Sequence, residues 1–543
     1  MRAFTTLPPP SFPRRPSTSI LIDGRSEGSS EEGNYTRRWT REDIRSRGRR
    51  MPLGQSYHET SAEWRRDIGL FKFVTFDMLH DDVLLEIFNF YVHETFEPFR
   101  GRRIEEWITL AHVCRRWRSV VFQSPLRLNL RLACTPQTPA RATLDIWPPL
   151  PLVIHDLDTI FNVKTPDVDN IIAALEHRDR VCQIDLINLT SSKLECVTDS
   201  AMQKPFPELT DLRLNTNDGT GPILSDSFLG GTAPRLRSIF LSNISFPGLP
   251  KLLLSSIHLV HLDLYEIPRS GYIPSEAMAT SLSSLTSLEF LRLHFRYPRP
   301  RPAPESRRPP PPSLTRFILP SLTKIRLNGT SEYLEEILAR IDPPRLSELH
   351  ISFFNQIIFN TLQLYQFISR RPTLRTLKKG HIEINSKAII VRFRSQTSVY
   401  GVLSVEILCR APEWQLSSLE QVCTSFLPLL STLEDLYIFA NRVYPPRQDY
   451  VENTLWLELL HPFASVKNLY LCMRSVPRIV PPLQELVGGR TTEVLPTLQN
   501  IFLEGVVPPG PVPRGIEKFV AARWLASHLV AVSHRPSGEF HHY

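Results

Sequence analysis

Leu209-Thr210-Asp211-Leu212-Arg213-Leu214, Leu259-Val260-His261-Leu262-Asp263-Leu264, Leu433-Glu434-Asp435-Leu436-Tyr437-Ile438 and Leu498-Gln499-Asn500-Ile501-Phe502-Leu503 are one pattern, apolar-x-x-apolar-x-apolar, written four times. The central apolar position recurs at Ile184, Leu212, Ile239, Leu262, Leu291, Ile325, Leu349, Leu377, Val405, Leu436, Leu469 and Ile501, at intervals of 23 to 34 residues. One such hexad means little in a leucine-rich chain. A dozen in order, within a narrow band of spacing, describe a repeating structural unit. Alternation over the last three positions predicts a short strand with one face buried.

Between the hexads the period changes from two to that of a helix. Leu334, Ile337, Leu338 and Ile341 share a helical face, and Pro343-Pro344 stops the helix before the next strand. Ile358, Leu362, Tyr365 and Ile368 repeat the device ahead of Pro372. Strand, crossover helix, proline-marked turn and strand make the unit of a parallel solenoid. The expected fold class is therefore α/β: a small N-terminal helical unit, then a curved leucine-rich-repeat solenoid with parallel strands on the concave face and helices and loops on the convex face. The Leu374 copy is the irregular one, with Lys379 at its third apolar position. Pro298 to Pro312 holds eight prolines and four arginines and reads as an extended insertion. Residues 1–70 form an Arg/Ser/Pro-rich tail expected to be disordered, 71–126 the helical unit, and 127–180 a connecting segment with the N-terminal solenoid cap. The solenoid proper is 181–505, with insertion 298–312, and 506–543 form a C-terminal cap and tail.

The formal net charge is +8, from 63 basic and 55 acidic side chains. Half of that excess lies in residues 1–70, where thirteen Arg face nine acids. The rest is nearly balanced, which argues against a nucleic-acid-binding body. The longest stretch without Asp, Glu, Lys or Arg, Leu349–Ser369, is broken by His350, Asn355, Gln356 and other polar residues, so no membrane span is expected. With no apolar leader and no CxxC pair, the seven cysteines read as reduced thiols of a cytoplasmic or nuclear protein.

Leu79–Phe88 (LHDDVLLEIF) carries Leu84, Ile87 and Phe88 on one helical face, with Asp81 and Asp82 at the favourable end. Leu110–Phe122 (LAHVCRRWRSVVF) places Leu110, Val113, Cys114, Trp117, Val120 and Val121 in a second stripe. Together the two segments resemble an F-box, with Leu79 matching the opening leucine, Ile87 and Phe88 the first helix, and Val113, Cys114, Arg115, Arg116 and Trp117 the closing one. Two departures are His80 in place of the usual proline and a longer connecting loop. Leu132–Leu150 and the C-terminal region look like the F-box families of mushroom-forming fungi. The resemblance implies a non-catalytic substrate receptor of a Skp–cullin–F-box ubiquitin ligase. On that reading Leu79, Leu84, Ile87, Phe88, Leu110, Val113, Cys114 and Trp117 bind a Skp-family adaptor, and through it a cullin. Trp117 is the expected anchor. The alternative is a leucine-rich scaffold outside any ligase.

On the solenoid, the residues alternating with the buried apolar positions face the open side of the sheet. The expected column runs Asp185, Arg213, Phe240, Asp263, Arg292, Arg326, His350, Lys378, Glu406, Tyr437, Tyr470 and Phe502. Arg292, His294, Lys324, Arg326 and His350 make a basic stretch, and Tyr437, Phe439, Tyr470 and Phe502 an aromatic one. The pair suits a protein substrate carrying acid or phosphate beside apolar side chains. No P-loop, GxGxxG, HExxH, GxSxG or zinc-spaced Cys/His cluster occurs, so neither a cofactor nor a metal is expected and no catalytic residue is assigned.

Overall fold

Alternation along the hexads sets the sheet. In Asp211–Thr216, Phe290–Phe295 and Glu348–Phe354 every second residue is buried and those between remain half-exposed. The buried set packs against one side of each crossover helix, such as Leu194 and Val197 of Ser191–Ala201 and Leu334, Ile337 and Leu338 of Ser331–Arg340. The computed structural model describes residues 79–94, 110, 112–123, 130–136, 139–146, 149–156, 166–216, 218–219, 221–298, 316–354, 359, 361–375, 377–395, 401–409, 412–425, 430–440, 450–472, 475–486, 490–505 and 513–535. All lie in the compact unit Met78–Tyr543. The N-terminal tail with its Arg45–Arg50 patch and almost all of the proline-rich insertion lie outside the described residues.

Among the described residues, the helices α1 (Asp81–Glu94) and α2 (Arg115–Gln123) precede the sheet. The strands are β1 (Leu130–Ala133), β2 (Leu152–His155), β3 (Val181–Leu189), β4 (Asp211–Thr216), β5 (Ser238–Ser242), β6 (His261–Ile267), β7 (Phe290–Phe295), β8 (Phe317–Ile318) and β9 (Lys324–Gly329). They continue with β10 (Ile341–Asp342), β11 (Glu348–Phe354), β12 (Leu377–Ile384), β13 (Ala388–Ser395), β14 (Val402–Leu408), β15 (Asp435–Ala440), β16 (Asn468–Cys472), β17 (Asn500–Glu504) and β18 (Ala531–Arg535). Sixteen of these form one sheet, and β8 and β10 pair separately beside it. The sheet begins before residue 181, since β1 and β2 lie parallel and in register with β3, and it runs past 505 to β18.

One part of the order differs from the sequence reading. The sheet runs β9-β11-β14-β13-β12-β15, so the chain passes from β11 to a strand three places away, folds back through β13, and fills the gap with β14. β13 is antiparallel to both neighbours, while β11 with β14 and β12 with β15 are parallel. The Leu377 and Val405 copies are thus exchanged in space, and the sheet is mostly rather than wholly parallel. Lys379 marks a bulge, not a decayed repeat. The register slips between Leu377 and Lys379, after which Gly380, Ile382 and Ile384 point inward. A Cβ on Gly380 would meet Leu433 Cδ1 at 3.2 Å, so the closely packed inward position is filled by the one residue that brings no side chain.

Candidate functional site

The observed registers define the open-face column afresh. Asp185, Arg213, Phe240, Asp263, Arg292, Arg326 and His350 stand side by side as expected. Beyond His350 come Ser404, Arg392 and His381, then Tyr437, Tyr470 and Phe502. Lys378 and Glu406 therefore leave the column. The bulge turns Lys378 to a salt bridge with Glu434, which Lys467 also approaches at 3.1 Å, and these two lysines hold the Glu434 carboxyl below its usual range. Glu406 lies one pleat along and accepts a hydrogen bond from Ser352 Oγ at 2.6 Å.

In the first zone the charges meet across strands. Asp185 faces Arg213 at 3.7 Å and Asp263 faces Arg292 at 3.3 Å. Burial raises both carboxyl pKa values, against the lowering pull of the neighbouring guanidiniums. Arg213 also lies over Phe240, and Arg292 over Tyr265 and Phe290, at 5.6 Å from each ring centre. Lys324 is paired with Glu348 at 2.9 Å. Arg326 is different. It is exposed, rests 5.8 Å from the Phe290 ring and, among the described residues, forms no ion pair.

The histidines do not add positive charge. His294 stacks on Tyr265 at 4.5 Å, and its Nδ1 accepts from the Glu266 amide. Its pKa is lowered to about 4, first by burial and then by Arg292. His350 is lowered to about 4 by burial and next by Arg326. The basic stretch is an arginine and lysine feature, with neutral imidazoles between.

The second zone is a ladder of rings. His381, Tyr437, Tyr470 and Phe502 stack at 4.3, 4.1 and 4.6 Å with planes within 15°. Asp435, Asn468 and Asn500 form a parallel ladder one pleat away, Asn468 donating to Asp435 at 2.7 Å and Asn500 to Asn468 at 2.8 Å. Tyr437 and Tyr470 are buried and Phe502 half-buried, with Phe439 beside them on the next row. Their faces are spent on one another, so this zone offers ring edges rather than the broad apolar platform expected.

The helical unit divides its expected binding residues. Leu84, Phe88 and Leu110 are buried, and so build the unit rather than present a surface. The helix breaks at Cys114 and restarts at Arg115, which leaves Val113 and Cys114 exposed instead of continuing the stripe. Trp117 is half-buried, its ring 4.7 Å from Phe88. Leu79 is half-buried, and its carbonyl accepts from Arg116, which also bridges Asp81 at 2.7 Å. Exposed apolar side chains remain on these segments: Val83 (46%), Ile87 (39%) and Phe90 (64%) on one face of α1, and Val113 (57%) ahead of α2.

Sequence reading missed His381, Arg392 and Ser404 as members of the open face. The alternation of Ile389, Val391 and Phe393 was a visible signal for β13, but chain spacing does not tell which strand becomes whose neighbour. The described residues contain no group of three metal-ligating side chains and no helix long and apolar enough to cross a membrane. None of the seven cysteines forms a disulfide, and burial pushes the Cys134 thiol up to about 12 and Cys182 to about 11.

No protein-family model matches the chain, and no curated protein matches it. Among solved structures it is similar to the leucine-rich repeat-containing protein LegL7 from Legionella pneumophila. The identity is 13%, over 74% of this chain and 98% of that one, with a TM-score of 0.24. At that score the repeat assignment rests on this chain's own register and not on the neighbour.

Proposed function

We propose that the chain is a substrate receptor of a Skp–cullin–F-box ubiquitin ligase, its helical unit docking the adaptor and its open sheet face holding a protein segment. The observation that carries the reading is the exposure of the apolar side chains Val83, Ile87, Phe90 and Val113 on the segments that resemble an F-box. Exposed apolar side chains on a helical segment, three of them on one helix face, suit coverage by helices of a partner. Arg326 supplies an unpaired cation on the open face for an acidic or phosphorylated segment. The chain itself holds proximity rather than chemistry, since thioester transfer takes place on other subunits.

Co-purification of the full chain with a Skp-type adaptor tests it. Ile87→Asp and Val113→Asp alter exposed side chains, so both variants fold and both lose the adaptor. Capture by the wild type that both charged variants retain, or no capture by the wild type, removes the ligase reading. The scaffold reading, with the two helices merely closing one end of the solenoid, then takes its place. Trp117→Ala is the weaker test, because its contact with Phe88 ties it to the unit's own packing.

A further inference from the structure

The sheet ends at β18, and among the described residues no strand pairs with its outer edge. The Ala531 N–H donates to the Gln499 carbonyl at 2.8 Å, which fixes the phase of the strand. In a parallel ladder alternate residues serve opposite sides. Ala531 and Ser533 therefore bond to β17, while the N–H and C=O groups of Val532 and His534 point outward. An edge with free donors and acceptors is a template for another strand. The side chains of Val532 and His534 lie on the inner face, since their register partners Ile501 and Leu503 are buried.

The helix Arg514–Leu525 runs beside that edge. Its Ile516, Phe519 and Arg523 are buried, and Glu517, Val520, Ala521 and Trp524 make a second stripe at i, i+3, i+4 and i+7. With Leu529 and Val532, this stripe lines an open groove of about 350 Å³. Trp524 is 64% exposed, Leu525 79% and Leu529 74%. A unit that closes a solenoid carries a polar outer face, whereas this one is apolar with a single acid in its groove. Glu517 is exposed and, among the described residues, forms no ion pair.

We propose that a second copy of this chain covers this end, the two β18 strands pairing antiparallel about a two-fold axis at Ser533. In that register all five residues of each strand overlap, and outward groups meet outward groups. Val532 exchanges both backbone bonds with the second copy's His534. Residues directly opposite share a face, so the second copy's His534 stands beside Val532, on the groove that Glu517 lines. The two-fold makes the contact twice, each chain's acid meeting the other's basic ring, while Trp524 and Leu529 leave water. The groove and edge lie at the opposite end of the sheet order from the helical unit, so the pairing stands whether or not the ligase reading does.

Sedimentation equilibrium of the full chain tests it, the expected species being a dimer of twice 62.4 kDa. Val532→Pro deletes an N–H that β17 does not use, so the fold stands and the dimer loses two bonds. It should associate about thirty-fold more weakly than Val532→Ala, which keeps both. Glu517→Lys alters an exposed side chain and should also weaken the dimer; adding His534→Glu exchanges the charges and should restore it. A wild type that stays monomeric, or grows into open-ended oligomers, overturns the proposal. So does a dimer indifferent to Val532→Pro, or a Glu517→Lys defect that His534→Glu leaves in place.

Discussion

Arg292 and Arg326 are adjacent on the open face and look equivalent in sequence, yet replacing each by methionine should have unequal consequences for the fold. The Asp263 side chain is 16% exposed and that of Arg292 25%, with 3.3 Å between their charged atoms. Removing one partner of a fully buried pair costs about 3–5 kcal/mol, and a surface pair about 0–1 kcal/mol. The intermediate burial here, with Arg326 and Arg213 still near Asp263, gives about 2 kcal/mol for Arg292→Met. Arg326→Met breaks no ion pair and should stay within about 0.5 kcal/mol. Urea unfolding at pH 7 reads the difference as a shift of the midpoint at constant slope. Because the stranded carboxylate can take up a proton, the penalty in Arg292→Met should shrink as the pH is lowered towards 5. Equal destabilisation by the two substitutions, or a penalty indifferent to pH, would refute the view that Arg292 is structural and Arg326 the free cation. The distinction matters for any capture experiment, since loss of binding by an Arg292 variant could report a damaged sheet.

Acid sensitivity follows from the imidazoles. His294, His350 and His381 have folded pKa values of about 4 against an ordinary 6.5, so the folded state binds fewer protons than the unfolded one between those values. Their contribution is present above pH 6.5 and is lost as the pH falls towards 4, at up to about 3 kcal/mol each. Glu335, raised to about 7, and Asp156, raised to about 6, work the other way and gain on acidification. His381→Gln should therefore flatten the pH dependence of the melting temperature between 6.5 and 4, and an unchanged slope would show that this ring is not held neutral. At the far end, buried Arg523 donates to the carbonyls of Val494 at 2.7 Å and Leu495 at 2.8 Å, where Leu495 has a positive φ of 51°. Arg523→Met should cost about 3 kcal/mol and speed amide exchange over 490–505 and 514–525, with β1–β6 unaffected because solenoid stability passes between neighbours.

The repeats were legible because burial on one side of a strand forces alternation, and Leu212/Leu214 or Ile501/Leu503 cannot serve any other geometry in these contexts. The exchange of β12 and β14 was not. Leu377 and Val405 sit at ordinary spacing, and spacing constrains only the length of a connection. The clue lay in Lys379 and Gly380, where a bulge and an inward position filled by a glycine mimic a failing repeat. At the front, the amphipathic stripe from Leu110 to Val121 was visible, but not the break at Cys114 that moves Val113 to the surface.

Neighbouring parallel strands place like positions about 4.8 Å apart, so any column on the open face must reconcile groups pressed together by the backbone. This chain answers with alternating acids and arginines on one side, stacked rings on the other, and an amide ladder beside the rings. Each answer stabilises the sheet by using up the valences that a partner would otherwise read. On the proposed receptor reading, recognition would concentrate where the ladders leave something over. Arg326 is such a remainder, standing between the saturated Asp263–Arg292 pair and the neutral His350 at the last wholly sequential strand pairing before the exchange. A segment lying across β9 and β11 would meet one cation flanked by uncharged rings, and its affinity should depend on a single phosphate or carboxylate rather than on a run of acids.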